Sequence, residues 1–279
     1  MPTGTLYLVS TPIGNLEDIS FRALRILREA GLIAAEDTRH TRKLLAHYDI
    51  HTRLTSYYEF KETGKAAKLV DKLLGGANVA LVSNAGTPGV SDPGYRLVQA
   101  AIDAGIRIVP VPGPDALTAA LVASGLSPAR FCFEGFLPRK RSQRKARIEA
   151  MKSDPRTYIF YEAPNRVATL LSEIAELFPT RKVVVARELT KIHEEIVRGS
   201  AEELSELFRA REPKGEFVVL VEGGSGDEAP APDDSVVLET YAALAQQEGL
   251  SRSDAIKETA KKLGLPKREV YRLVSQSFP

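Results

Sequence analysis

The sequence holds a single cysteine, Cys132, so no disulfide can close within the chain, which fits a reducing compartment. No stretch approaches the roughly 18 consecutive apolar residues that a membrane-spanning helix requires, and no membrane partner is expected. The opening MPTGTLYLVS lacks a basic flank and its apolar run is shorter than a signal peptide's, so secretion is not expected either. The histidines are few (His40, His47, His51 and His193) and none forms a ligand pair with the cysteine. HEEIV at 193–197 lacks the second histidine of a zinc-binding HExxH helix, and no metal is expected. A Walker loop is missing, as is the G-x-G-x-x-G turn of a dinucleotide site. With 38 basic and 36 acidic residues the net charge of +2 says little about partners, so local clusters must carry that question.

What is present is an alternation of two periodicities over 279 residues, a length that favours two domains. Strand-like TLYLVS, LIAA, RLTSYY, NVALVS and IRIVPV alternate with helix-like FRALRILREAG, residues 38–47, AAKLVDKLLGG, GYRLVQAAIDAG and PDALTAALVASG. Strand–helix–strand spacing of this kind predicts an α/β fold with a parallel sheet over residues 1–120. A second α/β domain is expected over 121–224, with strands at FCFEGFLP, RTYIFYEAP, KVVVARELT, HEEIVRGS and GEFVVLVEG, and helices at 141–152, 165–177 and 201–210. Two of these strands follow one another almost directly, so this sheet is expected to be mixed. Residues 225–235 have linker composition. Residues 236–279 form a helical tail whose Gly-Leu-Pro turn gives a helix-turn-helix pattern, equally suited to packing on the body or to nucleic acid.

In an open parallel sheet, ligands bind beyond the carboxyl ends of the strands. The four most unusual loops all follow predicted strands: TPIGN at 11–15, EDTRHT at 36–41, NAGTPGVSDPG at 84–94 and PGPDA at 112–116. Each is richer in Pro, Gly or polar residues than a plain connection needs, which points to a ligand cleft. The first loop has one glycine, Gly14, and a proline, Pro12, that removes a backbone donor; it suits close approach better than phosphate binding.

Seven segments in order, LYLVSTPIGNLEDIS, LIAAEDTRHT, ALVSNAGTPGVSDPGY, VPVPGP, FCFEGFLPRK, RTYIFYEAPNR and VVVARELTK, together resemble the ribosomal RNA small subunit methyltransferase I family. The resemblance runs from about residue 5 to residue 222. It implies a two-domain methyltransferase of the tetrapyrrole-methylase (class III) fold, a cytoplasmic homodimer, with S-adenosylmethionine bent into the cleft between the domains. The implied reaction is methylation of the ribose 2′-oxygen of a cytidine in small-subunit ribosomal RNA near the decoding centre, on free RNA or the 30S particle. By the same resemblance, Asn84, Gly86, Thr87, Val90, Pro112, Gly113, Ala116, Tyr161 and Gly223 contact the cofactor, while Pro12, Gly14, Asn15 and Arg39 face the substrate. The family commonly has Asp where this chain has Asn84, and tends to carry His and Asn in the segment written here TSYYEFKET, where Tyr58, Phe60 and Lys61 stand. A tetrapyrrole methyltransferase and a non-catalytic RNA-binding or ribosome-assembly protein are the rival readings.

A ribose hydroxyl is a poor nucleophile, so a base or a cation near the alkoxide should assist. Glu36, Asp37, Glu162, Glu188 and Lys191 fall at predicted strand ends and are the candidates, with a structural ion pair as the alternative for each. RNA must be held by its phosphates. Residues 139–147 carry six cations, Arg139, Lys140, Arg141, Arg144, Lys145 and Arg147, and no acid, a density that favours a polyanion over a plain solvated helix face. Arg166, Arg187 and Lys191 extend this set. Tyr57 and Tyr58 offer stacking surfaces or core packing. Cys132, between Phe131 and Phe133, is a nucleophile only if exposed; a buried strand thiol is the alternative.

Overall fold

The computed structural model describes residues 2–58, 62–211, 213–224, 233–246 and 250–277. Phe60 and Lys61, and residues 225–232 of the expected linker, lie outside the described residues. The chain forms two compact units, Met1–Ala119 with Glu188–Glu194, and Ala120–Arg187 with Glu195–Pro279. The division is not linear in sequence, because a seven-residue turn from within the expected second domain groups with the first unit.

The first unit contains β1 (Thr5–Val9), α1 (Phe21–Glu29), β2 (Leu32–Ala35), α2 (Thr38–His47), β3 (Leu54–Ser56), α3 (Glu62–Leu74), β4 (Val79–Val82), α4 (Tyr95–Asp103) and β5 (Arg107–Val111). The helix α5 (Ala116–Ser124) spans the division between the units. All five strands are parallel, in the order β3-β2-β4-β1-β5. Side chains alternate across the sheet as the two-residue period of a strand requires. Val9, Ile33, Ala35, Ala80 and Val82 meet Ala23, Ile26 and Leu27 of α1 and Leu45 of α2 on one face. Leu6, Ala34, Val79 and Leu81 meet Leu69 and Leu73 of α3 and Leu97 and Ala101 of α4 on the other. The adjacent strands β1 and β4 therefore lead to helices on opposite faces. That is a topological switch point, where an open α/β sheet leaves a crevice.

The second unit contains β6 (Phe131–Phe136), α6 (Arg141–Glu149), β7 (Thr157–Glu162), α7 (Val167–Leu177), β8 (Lys182–Arg187), β9 (Glu195–Ser200), α8 (Ala201–Ala210) and β10 (Phe217–Val221). The sheet order is β6-β7-β10-β8-β9, with β6 and β7 parallel and the remaining pairs antiparallel. One face buries Tyr158, Phe160, Val183, Val185 and Val219 against Ile148 of α6, Leu170, Leu171 and Ile174 of α7, and Leu204 and Phe208 of α8. The tail consists of α9 (Asp234–Ala245), α10 (Arg252–Leu263) and α11 (Lys267–Ser277), so the last residues of the expected linker are already helical. Aspartates at 233 and 234 favour a helix start there by their charge. The expected apolar face, Ala255, Ile256 and Ala260 with Val270, Leu273 and Val274, closes a small core with Val237 and Tyr241.

The most completely capped helix is α8. Ser200 Oγ accepts from Glu203 N at 3.2 Å and Glu203 Oε2 accepts from Ser200 N at 2.9 Å, a reciprocal capping box. Ser200→Ala is expected to lower the unfolding free energy by about 1 kcal/mol with no change in cofactor or RNA affinity, measured by denaturant unfolding.

Candidate active site

The loops that follow β1 and β4 are bonded to each other directly. Thr11 N donates to Gly86 O at 3.0 Å and Gly86 N to Thr11 O at 2.9 Å, an isolated antiparallel bridge at the mouth of a parallel sheet. Gly86 holds φ at 75°, which an L side chain rarely adopts. Ser10 and Thr87 share a hydroxyl–hydroxyl bond of 2.9 Å, and Thr11 Oγ1 donates to Ser83 O at 3.2 Å. The loop after β5 joins them: a Cβ at Gly113 would lie 3.1 Å from Ser10 Cβ. Pro112 and Gly113 are exposed, and Ala116 opens α5, whose start is capped by Asp115 Oδ1 accepting from Leu117 N at 2.9 Å. Val90 N turns back onto Thr87 O at 3.3 Å.

Asn84 ties in the loop after β2. Its Oδ1 accepts from Asp37 N at 3.2 Å, and its own N–H donates to Glu36 Oε2 at 3.2 Å. An amide oxygen serves this bond without adding a third negative charge beside Glu36 and Asp37, a physical use for asparagine at this position. Asp37 caps α2, accepting from Arg39 N at 2.8 Å, and that bond holds its carboxyl below the ordinary range. Arg39 stays exposed, 3.4 Å from Asp37.

The fifth contributor is the Glu188–Glu194 turn. Lys191 Nζ and Glu188 Oε1 form an ion pair at 2.8 Å, and Thr190 Oγ1 accepts from Asn15 N at 3.1 Å. A Cβ at Gly14 would collide with Lys191 Cγ, so glycine is what lets this turn lie over the first loop. Pro12 is buried beneath the exposed Gly14 and Asn15.

Thus Glu36, Asp37, Glu188 and Lys191 belong to one unit with Pro12, Gly14, Asn15, Asn84, Gly86, Thr87 and Gly113. Sequence reasoning missed Asp92, although it lies in a loop already singled out. Burial, and then the charge of Glu36, push its carboxyl up to about 6, while a hydrogen bond with Ser83 works in the opposite sense. An acid inside a small-residue loop, Ser-Asp-Pro-Gly, was the signal available.

Glu162 belongs to the second unit. Its side chain is fully buried on the helix-covered face of the second sheet, Oε1 accepting from Ala163 N at 2.8 Å and lying 3.2 Å from Arg166 Nε. Oε2 finds no hydrogen-bond partner among the described residues, and burial raises the carboxyl. The expectation that Glu162 carries a proton in the cleft is therefore corrected to that of a buried partner for Arg166. Gly223 sits where a Cβ would strike Pro155 O, so its close approach is to the chain's own backbone. Tyr161 meets Phe133 and Phe136 edge-on, with ring centroids 4.8 and 5.8 Å away. Tyr57 is wholly buried against α3 and α4, which corrects the stacking expectation for it. Tyr58 has Lys65 Nζ 4.9 Å from its ring centre. Cys132 is half-buried, its thiol 3.4 Å from Glu134 Oε1; burial first, and that contact next, push its ionisation up, so a reactive thiolate is not favoured.

The basic run divides. Arg144 is 7% exposed, with Nε and Nη2 on Glu173 at 2.5 and 2.7 Å, and Nη1 donating to Pro138 O and Arg139 O. It is corrected from a phosphate contact to an internal brace. Arg147 is paired with Glu134 at 2.6 Å, Arg166 with Glu162, and Arg187 with Glu195 at 3.7 Å. Arg139 and Lys140 remain on the surface, Arg141 is exposed but lies 3.5 Å from Glu173 and 3.9 Å from Glu176, and Lys145 is half-buried. Among the described residues no group of three or more His, Cys, Asp or Glu side chains is placed to hold a metal ion, and no helix is long and apolar enough to cross a membrane.

Asp92 carries a consequence for stability. Its folded pKa, about 6, exceeds the reference 3.8, so ionisation costs the folded state more than the unfolded one. The cost is absent below about 4, grows between 4 and 6 and is complete above 6. Asp92→Asn is expected to stabilise the protein at pH 7–8 by on the order of 1–3 kcal/mol, with the gain shrinking to nothing near pH 4 in unfolding titrations.

Residues 5–205 match the family model of the Tetrapyrrole (Corrin/Porphyrin) Methylases. The fold is shared with a uroporphyrin-III C-methyl transferase from Thermus thermophilus, solved with S-adenyl homocysteine, at a TM-score of 0.56 and 19% identity over 78% of this chain and 97% of that one. A putative diphthine synthase from Entamoeba histolytica gives a TM-score of 0.60 at 15% identity over 81% of this chain and 94% of that one. Sequence similarity is far higher to proteins named ribosomal RNA small subunit methyltransferase I. The relative in Halalkalibacterium halodurans is 46% identical over 98% of this chain and 95% of its own length. The one in Mesorhizobium japonicum is 48% identical over 96% and 90%. At such identity over nearly the full length of both partners, the chain belongs to the tetrapyrrole methylases and, within them, to the ribosomal RNA small subunit methyltransferase I family.

Proposed function

We propose that this protein transfers a methyl group from S-adenosylmethionine to the ribose 2′-oxygen of a cytidine in small-subunit ribosomal RNA near the decoding centre, acting in the cytoplasm as a homodimer. The observation that carries this reading is the 42–48% identity, over almost the whole chain, to relatives named for that RNA. The residues of the first unit suit the cofactor. Residues 83–94 contain no lysine or arginine, include Asp92 and are joined by Glu36, an electrostatic setting that accepts a sulfonium. Gly86 and Gly89, with φ of 75° and 88°, keep the loop backbone open on one side. Asn84, Gly86, Thr87, Val90, Pro112, Gly113 and Ala116 would hold the cofactor. When bound, it supplies a methyl group on a positively charged sulfur.

The chain's own contribution is alignment and charge. Holding an attacking oxygen in line is worth roughly 7–11 kcal/mol of barrier, which favours loops fixed to one another over mobile ones. Asp92 is the acid matched to proton transfer near neutrality, an effect worth roughly 10²- to 10⁴-fold. Asp37, held down by its helix cap, is poorly matched to that task. Lys191, paired with Glu188 at 2.8 Å, offers a cation suited to steadying an alkoxide. Pro12, Gly14, Asn15 and Arg39 form the substrate side, and the exposed Arg139, Lys140 and Arg141 supply phosphate contacts.

With methyl-labelled cofactor and small-subunit RNA or 30S particles, label is expected in a cytidine whose phosphodiester resists alkali, the mark of a blocked 2′-oxygen. Label released as an ordinary nucleotide, or no label at all, would refute the reading. Reversing Arg139 and Lys140 together to Glu is expected to weaken RNA binding at least tenfold and to leave cofactor affinity unchanged by calorimetry. Arg144→Glu is expected to lower the melting temperature instead, because it sets a second carboxylate against the buried Glu173 in place of its bidentate partner.

A further inference from the structure

The edge strand β6 carries a one-residue irregularity between Phe133 and Gly135, where Gly135 takes φ of 61°. Phe133 and Phe136 are three residues apart and would ordinarily face opposite sides of the sheet. The extra residue resets the register, so Phe133 stands opposite Ile159 and Phe136 opposite Tyr161, two positions along β7 and hence on one face. The result is an aromatic trio around Tyr161 whose outermost ring, Phe136, is 58% exposed.

The chain that follows is fixed by arginines facing inward. Arg166 Nη2 donates to Leu137 O at 2.9 Å, and Arg144 Nη1 donates to Pro138 O at 3.2 Å and Arg139 O at 3.0 Å. Three successive carbonyls are thus held by guanidinium groups that Glu162 and Glu173 neutralise from below. This presents the exposed Arg139 and Lys140 at a fixed distance from Phe136. A surface pocket of about 600 Å³ opens beside the ring, lined by Glu134, Phe136, Pro138, Gln143 and Arg147 among others. Gln143 brings an amide that both donates and accepts, and Arg147 is paired with Glu134 on the same wall.

We infer that this pocket docks an unpaired nucleobase of the RNA substrate, stacked on Phe136, with the flanking phosphates on Arg139 and Lys140. An exposed aromatic ring next to surface cations, beside a pocket with one adaptable amide, is the arrangement by which proteins hold single-stranded RNA. A second protein chain would gain little from a rim with two adjacent cations that no acid among the described residues compensates. A base-paired segment would be excluded, because its bases have no free face to offer the ring. The inference rests on the proposed RNA substrate and adds where, and in what form, the strand is gripped.

The test uses the full chain with a 5′-labelled single-stranded RNA carrying the target sequence and the same RNA annealed to its complement. Phe136→Ala is expected to weaken binding of the single strand roughly 5- to 100-fold while hardly affecting the duplex. Phe136→Trp is expected to restore it, cofactor affinity to stay at the wild-type value, and the salt dependence to keep its slope, since no phosphate contact is lost. Wild-type single-strand affinity in Phe136→Ala overturns the inference while leaving the RNA reading intact. Loss of cofactor affinity, or a change in sedimentation state, overturns it in favour of a cofactor contact or a subunit contact. Failure of the unaltered protein to bind any RNA removes the RNA reading and the inference together.

Discussion

The two backbone hydrogen bonds between Thr11 and Gly86 are the constraint on which the candidate site depends. Parallel strands leave their following loops unpaired, and at the switch point between β1 and β4 those loops depart toward opposite faces of the sheet. Nothing in strand pairing would keep them together. Fixing a residue's backbone costs about 1–2 kcal/mol, against a net gain of about 1 kcal/mol for each hydrogen bond. Loops of this length therefore hold one shape only when several bonds act jointly. The bridge, the Ser10–Thr87 hydroxyl pair and the Asn84 bonds to Glu36 and Asp37 connect three loops in series. A site whose chemistry is mainly alignment needs that kind of rigidity.

The second unit solves a comparable problem with charge. Burying an arginine–glutamate pair is close to neutral in stability, because desolvation offsets the attraction. Arg144 and Arg166 use the pairing for something else. Each spends its remaining N–H groups on main-chain carbonyls of residues 137–139, a segment with no strand or helix partner of its own. The density of cations seen in the sequence thus has two sources. Some residues brace the loop, and their neighbours are displayed by it.

The alternation of strand and helix in both units, and the mixed second sheet, were legible in the sequence because hydrophobic period and loop composition agree over each element. The four polar loops were legible as a group for the same reason. What the sequence could not convey was partnership across long separations. Arg144 and Lys145 are neighbours of like charge, yet one is buried on Glu173, twenty-nine residues away, and the other is half-exposed. Glu162 and Glu36 both end strands, but Glu162 points under helices while Glu36 meets the amide of Asn84. Helical period assigns a face to Arg144 only once the position of α7 is known. The grouping of Glu188–Glu194 with the first unit had no local signal, since it follows from where Lys191 and Thr190 meet Gly14 and Asn15.

The acids around the crevice show why position within a loop matters more than residue type. Asp37 and Asp92 have the same side chain and belong to loops that Asn84, Glu36 and Ser83 connect. Asp37 opens a helix, so unsatisfied backbone N–H groups stabilise its charge and make it a poor proton acceptor. Asp92 caps no helix; burial raises its carboxyl, and the charge of Glu36 adds to that penalty. Two like acids are thus pushed in opposite directions, one down by the helix it caps and the other up by burial and the charge of Glu36. Neither shift involves a histidine: His40 and His193, which lie in the segments that build the crevice, are both exposed.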